Sequence, residues 1–543
     1  MIKKHQEIVL NIEKNKFYEI GSGTFDGEEI LVRGALKGQK VSARVTKFKN
    51  GINAKLLEVV EHADYEISPA CGQFENGCGG CVFQNITLAK EAELKQEMLA
   101  GLLADAGYEL SAFYPALSTD AYRNKMEFSF GDDEKGGKLK LGMRKRGNYY
   151  SVSDASSCLI APADFGKIVN KTAEFFAGND ISFFHRGSGQ GLLRNLVLRK
   201  SFAENKILVN LIISEEQVSG ILSGYADELL KLELSGEISG IICTVCTARS
   251  DSVKADKTSL LYGQEYLYEE IMGLRFKISP FSFFQTNTDG ASRLYSGLLD
   301  FLGDISGKVA FDLYCGTGTI AALLAGNAKK VYGIELVEEA VLAARENAAI
   351  NKLTNCTFLA GDVLKVLSEL SEKPDIIVID PPREGLHPKA LANVISLGAE
   401  KIIYVSCKPT SLVRDLAVLC ESGYEAERIA GYDMFPRTGH VETVVLLSKL
   451  KSSKSIEVKI DLDEVDLTKS ESKATYDEVK AYVLDKYGFK VSQLYIAQVK
   501  RKHGIIEREN YNTGESKAKV PQVPEDKEKA IEDALRYFKM IDE

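Results

Sequence analysis

The sequence predicts a multidomain α/β protein: a small N-terminal β-barrel, a mixed α+β central region, and a parallel-sheet domain with helices on both faces. Three observations carry this expectation. A chain of 543 residues allows three or four domains at roughly 150 residues each. Its first stretch reads as short strands broken by glycine turns, the pattern of a small closed barrel. From residue 276 onward strands and helices alternate, the pattern of a parallel sheet.

Composition narrows the class. With 45% hydrophobic and 27% charged residues the chain is ordinary globular protein. No apolar run reaches the roughly 20 residues of a membrane span, and Met1-Ile-Lys-Lys opens no secretory signal, so a soluble, cytoplasmic protein without membrane contact is expected, as a monomer. Ten cysteines in so long a chain form no disulfide framework in a reducing compartment, and any clustering points to a metal or to catalysis. The net charge of -9 argues against indiscriminate nucleic-acid binding but leaves room for local basic surfaces.

The barrel is expected over residues 1–62, with strands near Glu7–Ile12, Ile30–Arg33, Val41–Val45 and Ala54–Val60 and turn signals at Gly21, Gly23, Asp26-Gly27, Gly34, Gly38 and Asn50-Gly51. Between Lys37 and Lys55 the charged residues are Lys37, Lys40, Arg44, Lys47, Lys49 and Lys55, all basic. They could track phosphates, or they could be edge-strand lysines that deter aggregation. The central region, 63–275, holds a cysteine-rich loop, a helix from Leu88 to Ala106, strands such as Lys125–Phe130 and Lys206–Ile213, and a second basic group at Lys138, Lys140, Arg144, Lys145 and Arg146. The α/β domain spans 276–449. A Ser/Lys/Asp/Glu-rich linker (450–473) leads to an extension, 474–543, with helices over Tyr476–Tyr487 and Glu525–Met540; its Gln498–His503 and Asn510–Asn512 could add RNA contacts or simply face solvent.

Val309–Leu313 runs into Tyr314-Cys-Gly316-Thr-Gly318 and then a helix, so the backbone can approach a ligand at the helix start. By itself this glycine pattern would also suit a dinucleotide. Glu335 follows 19 residues after Gly316, at the end of the next strand, where a ribose diol would sit. Asp362 and Asp380 end the third and fourth strands. Acids capping helices would explain any one of these, but the set Asp312/Tyr314, Glu335, Asp362 and Asp380 looks like the S-adenosylmethionine site of Rossmann-like methyltransferases.

The fourth strand continues Asp380-Pro-Pro-Arg383, unlike the Asn/Asp-Pro-Pro-aromatic pattern of amine methylation, so a carbon acceptor is the better expectation. Cys407 ends the fifth strand beside Lys408 and just before a helix, where its pKa is expected to fall, making it a nucleophile. Uracil C5 is too weak a nucleophile to attack a methylsulfonium unless a thiolate first adds at C6. A base must later remove the C5 proton, and Glu442, opening the last strand, is the candidate. If that strand runs antiparallel to the others, Cys407, Asp380 and Glu442 converge. Cys315, Cys356 and Cys420 are read as buried and inert, Cys243 and Cys246 as structural, and His440 as structural or positioning.

With Phe283-Phe-Gln285-x-Asn287, Asp312-Leu-Tyr-Cys-Gly-Thr-Gly318, Asp380-Pro-Pro-Arg-x-Gly385, Val405-Ser-Cys407-x-Pro409 and His440-Val-Glu442-Thr-Val, the sequence resembles the RNA uracil-5-methyltransferase family. The resemblance implies a class I methyltransferase domain, Cys407 as nucleophile, Glu442 as base, and Gln285, Tyr314, Glu335 and Asp380 as S-adenosylmethionine contacts. Thr319 stands where relatives carry another polar residue and is left out.

Cys71, Cys78, Cys81 and the distant Cys158 fit a four-thiolate site, for which zinc and an iron-sulfur cluster serve equally by count. Resemblance to the ribosomal branch of the family favours a [4Fe-4S] cluster, and the barrel resembles an RNA-binding TRAM (OB-like) domain. Family members acting on transfer RNA typically lack both, which points to 23S ribosomal RNA as partner. Alternatives are cytosine-C5 methylation, methylation of another RNA such as tRNA, and a non-catalytic RNA-binding protein with a degenerate methyltransferase fold.

Overall fold

The computed structural model describes residues 2–48, 51–134, 136–185, 187–215, 219–249, 255–450, 476–487, 489, 491, 493–503, 523–538 and 540–541. Lys49, most of the linker expected over 450–473, and Asn510–Asn512 lie outside them. The chain forms two compact units, residues 1–451 and 452–543.

In the first unit, residues 7–61 build a six-stranded sheet in the order Glu7–Asn11, Lys40–Lys47, Ile52–Glu61, Glu28–Arg33, Ile20–Phe25, Lys14–Lys16. Alternation decides which side is buried: Ile8, Leu10, Ile30, Val32, Val41, Ala43 and Val45 point into one cluster. A seven-stranded sheet follows, from Lys125–Gly131 to Lys257–Gly263, with helices Ala163–Gly178 and Ser219–Leu230 contributing to its apolar core.

The third large sheet has eight strands in the order Cys356–Ala360, Lys330–Glu335, Val309–Leu313, Ile376–Ile379, Lys401–Ser406, Glu442–Lys449, Tyr424–Tyr432, Ala112–Tyr114. The first five are mutually parallel. Glu442–Lys449 is antiparallel to both neighbours, with Thr443 opposite Ser406. The near-continuous burial of Val309–Leu313 and Ile376–Ile379 is what a parallel sheet covered on both faces requires.

Helix Leu88–Asp105 starts at Thr87, whose side chain accepts the Lys90 N–H, and it ties the N-terminal sheet to this third sheet. Leu99 and Leu103 enter the third sheet's core, while Leu94 and Met98 pack with Leu36, Phe83 and Ile86. Each such buried side chain stabilises the fold by about 1.5–3 kcal/mol. From the same helix the fully buried Lys95 reaches Glu91 at 2.8 Å and Asp433 at 2.7 Å. Removing one partner of such a group would strand a charge, at about 3–5 kcal/mol, so the 433–440 loop is held firmly.

In the second unit, helices Tyr476–Tyr487, Gln493–Lys502 and Glu525–Tyr537 close around Val479, Val483, Ile496, Val499, Ile531 and Leu535. The middle helix is not among the two expected: its Gln498-Val-Lys-Arg-Lys502 run is strongly polar and hid the short apolar repeat of Ile496 and Val499.

Candidate active site

The strand ends of the third sheet deliver the expected side chains to one edge. After Val309–Leu313 the chain turns through Tyr314, whose φ is 66°, and Gly316 and Gly318, with φ of 52° and 80°, into helix Thr319–Ala325. At Gly318 a Cβ would sit 2.9 Å from Ala344 Cβ and Phe358 Cε1, so glycine is needed both for conformation and for space. Glu335 accepts the Gly316 N–H at 3.1 Å and the Val337 N–H at 3.0 Å. Asp362 caps helix Val363–Glu369 by accepting the Leu364 N–H. Burial, with Asp362 and Glu335 nearby, raises the Tyr314 hydroxyl pKa. Asp312 is wholly buried and accepts the Ala321 N–H at 2.8 Å; burial and Asp380 push its carboxyl up.

Beside this turn a second group forms. Asp380 is pushed up to about 7 by burial. Glu442, 6% exposed, is pushed up to about 8 by burial and by Asp380, against the pull of Arg383. Gln285 hydrogen-bonds the buried Tyr295, which senses Asp380, Asp312 and Glu442. Its loop is pinned by Asn124, whose Nδ2 donates to the Gln285 carbonyl at 3.0 Å, and by Asn287, whose Nδ2 donates to the Met434 carbonyl at 2.7 Å.

Cys407 lies within reach of Glu442, Asp380 and Arg383, and its thiol is pushed up to about 11. This corrects the expected lowering. Burial, then Glu442, then Asp380 disfavour the thiolate, and together they outweigh the guanidinium of Arg383, which hydrogen-bonds the sulfur. The sequence neighbours Lys408 and helix Pro409–Glu421 suggested the wrong sign because burial dominates and the acids that add to it come from other strands. His440 is driven down to about 4 by burial and by Arg383, so it is a neutral ring near neutral pH. Arg383, Tyr295 and Tyr18 were all passed over in the sequence; for Arg383 the signal was present, as the last residue of Asp380-Pro-Pro-Arg383.

Cys71, Cys78, Cys81 and Cys158 line one pocket with Phe74, Met126, Met143, Leu159 and Ile160. Burial pushes the thiols of Cys78 and Cys158 up and that of Cys81 to about 12. The wall around the four sulfurs is otherwise mostly apolar, and no group of three or more His, Cys, Asp or Glu poised to hold a metal ion occurs among the described residues. Cys243 and Cys246 are buried, whereas Cys315, Cys356 and Cys420 are only partly so, against expectation: Cys315 lies in the glycine turn, Cys356 at the start of the edge strand Cys356–Ala360 and Cys420 near the end of helix Pro409–Glu421.

The basic groups are less open than they read. Lys37, Lys40 and Arg44 pair with Glu97, Glu61 and Glu7, and Lys140 and Lys145 share Asp133. Arg146 lies over the Phe74 ring and donates to the Phe74 carbonyl, bracing the cysteine loop.

Residues 252–450 match the family described as tRNA (uracil-5-)-methyltransferase. An uncharacterized RNA methyltransferase of Clostridium tetani is 44% identical over 452 residues, 82% of this chain and 99% of the relative. The chain belongs to the RNA uracil-5-methyltransferase family. A second relative of this methyltransferase, from Clostridium acetobutylicum, is 44% identical over 453 residues, 83% of this chain and 99% of its own. Among solved structures, the Pyrococcus abyssi tRNA (uracil-54, C5)-methyltransferase in complex with S-adenosyl-L-homocysteine is similar, with 25% identity and a TM-score of 0.64, covering 81% of this chain and 100% of that one. The third sheet is thus the class I, S-adenosylmethionine-dependent methyltransferase fold, and its substrate is RNA.

Proposed function

We propose that this methyltransferase forms 5-methyluridine in 23S ribosomal RNA through a covalent bond between Cys407 and uracil C6. The observation that carries the reading is the convergence of Cys407, Glu442, Asp380 and Arg383 at one sheet edge. Tyr314, Glu335, Asp380 and Gln285 would hold S-adenosylmethionine, which supplies an electrophilic methyl group. Glu335, already fixed by two backbone N–H groups, is suited to a ribose diol.

The Cys407 sulfur bonds to C6, and the C5–C6 π pair moves toward C5 and the C4 carbonyl oxygen. C5 would then take the methyl carbon of the bound donor, whose carbon–sulfur bond breaks to leave S-adenosylhomocysteine. Glu442 removes the C5 proton, the C5–C6 double bond re-forms, and the C6–sulfur bond breaks to release Cys407. The raised basicity of Glu442 suits it to the removal of the C5 proton, since a base works best with a pKa near the operating pH. The Cys407 proton leaves to solvent before attack, with Arg383 stabilising the thiolate as it forms, so Glu442 is free to take the C5 proton in its ionised form.

The ribosomal substrate rests on the six-stranded sheet, read as a TRAM-like barrel, and on the four-cysteine pocket, where Cys71, Cys78, Cys81 and Cys158 would hold a [4Fe-4S] cluster with a structural or RNA-positioning role. A monomer acting in the cytoplasm suffices for this chemistry. A tRNA substrate is the second reading, favoured by the Pyrococcus abyssi neighbour, which acts on tRNA and is similar well beyond the methyltransferase domain. Nucleoside mass spectrometry of fractionated RNA from a strain lacking the protein tests both. Loss of 5-methyluridine from 23S RNA is expected; loss from tRNA supports the second reading, and loss of 5-methylcytidine instead overturns the uracil assignment.

A further inference from the structure

The loop between strands Lys14–Lys16 and Ile20–Phe25 leaves the N-terminal sheet and enters the active site. Tyr18 Oη donates to the Cys407 carbonyl at 3.4 Å. Its ring centroid lies 5.5 Å from that of His440 and 5.3 Å from that of Phe17. Cys407, Glu442 and Arg383 are all near enough to act on its hydroxyl. Tyr18 and Cys407 are both half-buried, so each keeps an accessible edge.

The docking is built into the fold. Phe17 packs against two apolar clusters that helix Leu88–Asp105 joins. The Gly34 N–H donates to the Glu19 carbonyl at 2.7 Å. Glu19 lies against Gly439, where a Cβ would come within 3.1 Å of Glu19 Cγ. The absence of a side chain at 439 therefore lets the loop sit this close to the strand that presents Glu442.

We propose that Tyr18 is a positioning residue for the covalent step: with His440 it walls the pocket in which uracil meets Cys407, making the N-terminal sheet part of the active site. This rests on the uracil-C5 reading above. A base taken out of its stack is held by flat aromatic surfaces that replace the lost stacking. A thiolate must approach C6 from above the ring plane, so a wall that fixes the ring sets the attack geometry. A phenol suits the place, because burial and the neighbouring acids keep it neutral and it adds no negative charge beside a forming thiolate.

The test compares full-length wild type with Tyr18→Ala and Tyr18→Phe on RNA containing 5-fluorouridine, following the covalent adduct at saturating RNA together with S-adenosylmethionine affinity. Tyr18→Ala should form adduct at least tenfold more slowly with cofactor affinity within twofold, and Tyr18→Phe, which keeps the ring, should recover to within fivefold of wild type. An Ala variant within threefold of wild type, or a loss confined to the RNA KM, would overturn the proposal. Should Tyr18→Ala lose cofactor binding, Tyr18→Leu, which keeps the packing volume, is read by the same criteria. A wild type that forms no adduct would overturn the uracil-C5 reading instead, so the two failures are distinguishable.

Discussion

At the scale of single residues, the active site stores protons where ordinary side chains would have lost them. Glu442 and Asp380 have folded-state pKa values of about 8 and about 7, above the usual carboxylate range. An acid raised on folding gives its full stability below its unfolded pKa and loses it as pH rises through the folded value. For Glu442 that window runs from about 4.5 to about 8. Glu442→Gln should therefore gain stability over wild type at pH 9, on the order of a few kcal/mol, read by thermal melting, and lose that advantage near pH 5; an equal difference at both pH values would show that Glu442 is not a strained acid. The thiol of Cys407 shows what the sequence could and could not say. That a cysteine ends a strand before a helix was legible in Val405-Ser-Cys407-x-Pro409. The sign of its pKa shift was not, because it is set first by burial in the folded sheet edge and then by Glu442, 35 residues further on, which the antiparallel pairing of Ser406 with Thr443 brings close.

At the scale of elements, strand ends and glycine turns do the positioning. The five parallel strands were readable from their alternation with helices; the direction of the last strand was not, and it runs antiparallel, as the convergence of Cys407 and Glu442 requires. Strand Ala112–Tyr114 was not readable: at three residues it has too little pattern, and it forms because Tyr424–Tyr432 offers a free edge 310 or more residues later. Helix Leu88–Asp105 was readable as a helix, but not its role as the brace between two sheets, which depends on Lys95 meeting Asp433. The turn at Gly318 gives a prediction of its own. Gly318→Val places a branched side chain where φ is 80° and where even a Cβ would press on Ala344 and Phe358. Overpacking and backbone strain together should cost about 2–4 kcal/mol in chemical denaturation and weaken S-adenosylmethionine binding at least tenfold; wild-type stability in this variant would contradict the packing described for the turn.

At the scale of the whole molecule, the methyltransferase sheet is served by parts far from it in sequence. The N-terminal sheet sends Tyr18 to Cys407, and the cysteine pocket is braced by Arg146. The net charge of -9 reflects 77 acidic against 68 basic residues, which leaves no broad positive field to draw in RNA, and several residues of the two basic groups pair with carboxylates. If the four-cysteine pocket holds the proposed cluster, anaerobically purified protein should contain about four irons per chain with visible absorption, and Cys81→Ser should lose both; one zinc per chain and no visible band would replace that assignment. The central claim is that methylation proceeds through a covalent enzyme–RNA bond at Cys407. It is tested most directly by peptide mass spectrometry of the complex formed with S-adenosylmethionine and RNA containing 5-fluorouridine. The expected result is a nucleotide attached to Cys407, lost in Cys407→Ala, with Glu442→Gln accumulating the same bond on unmodified RNA. Undiminished methyl transfer by Cys407→Ala would contradict the account.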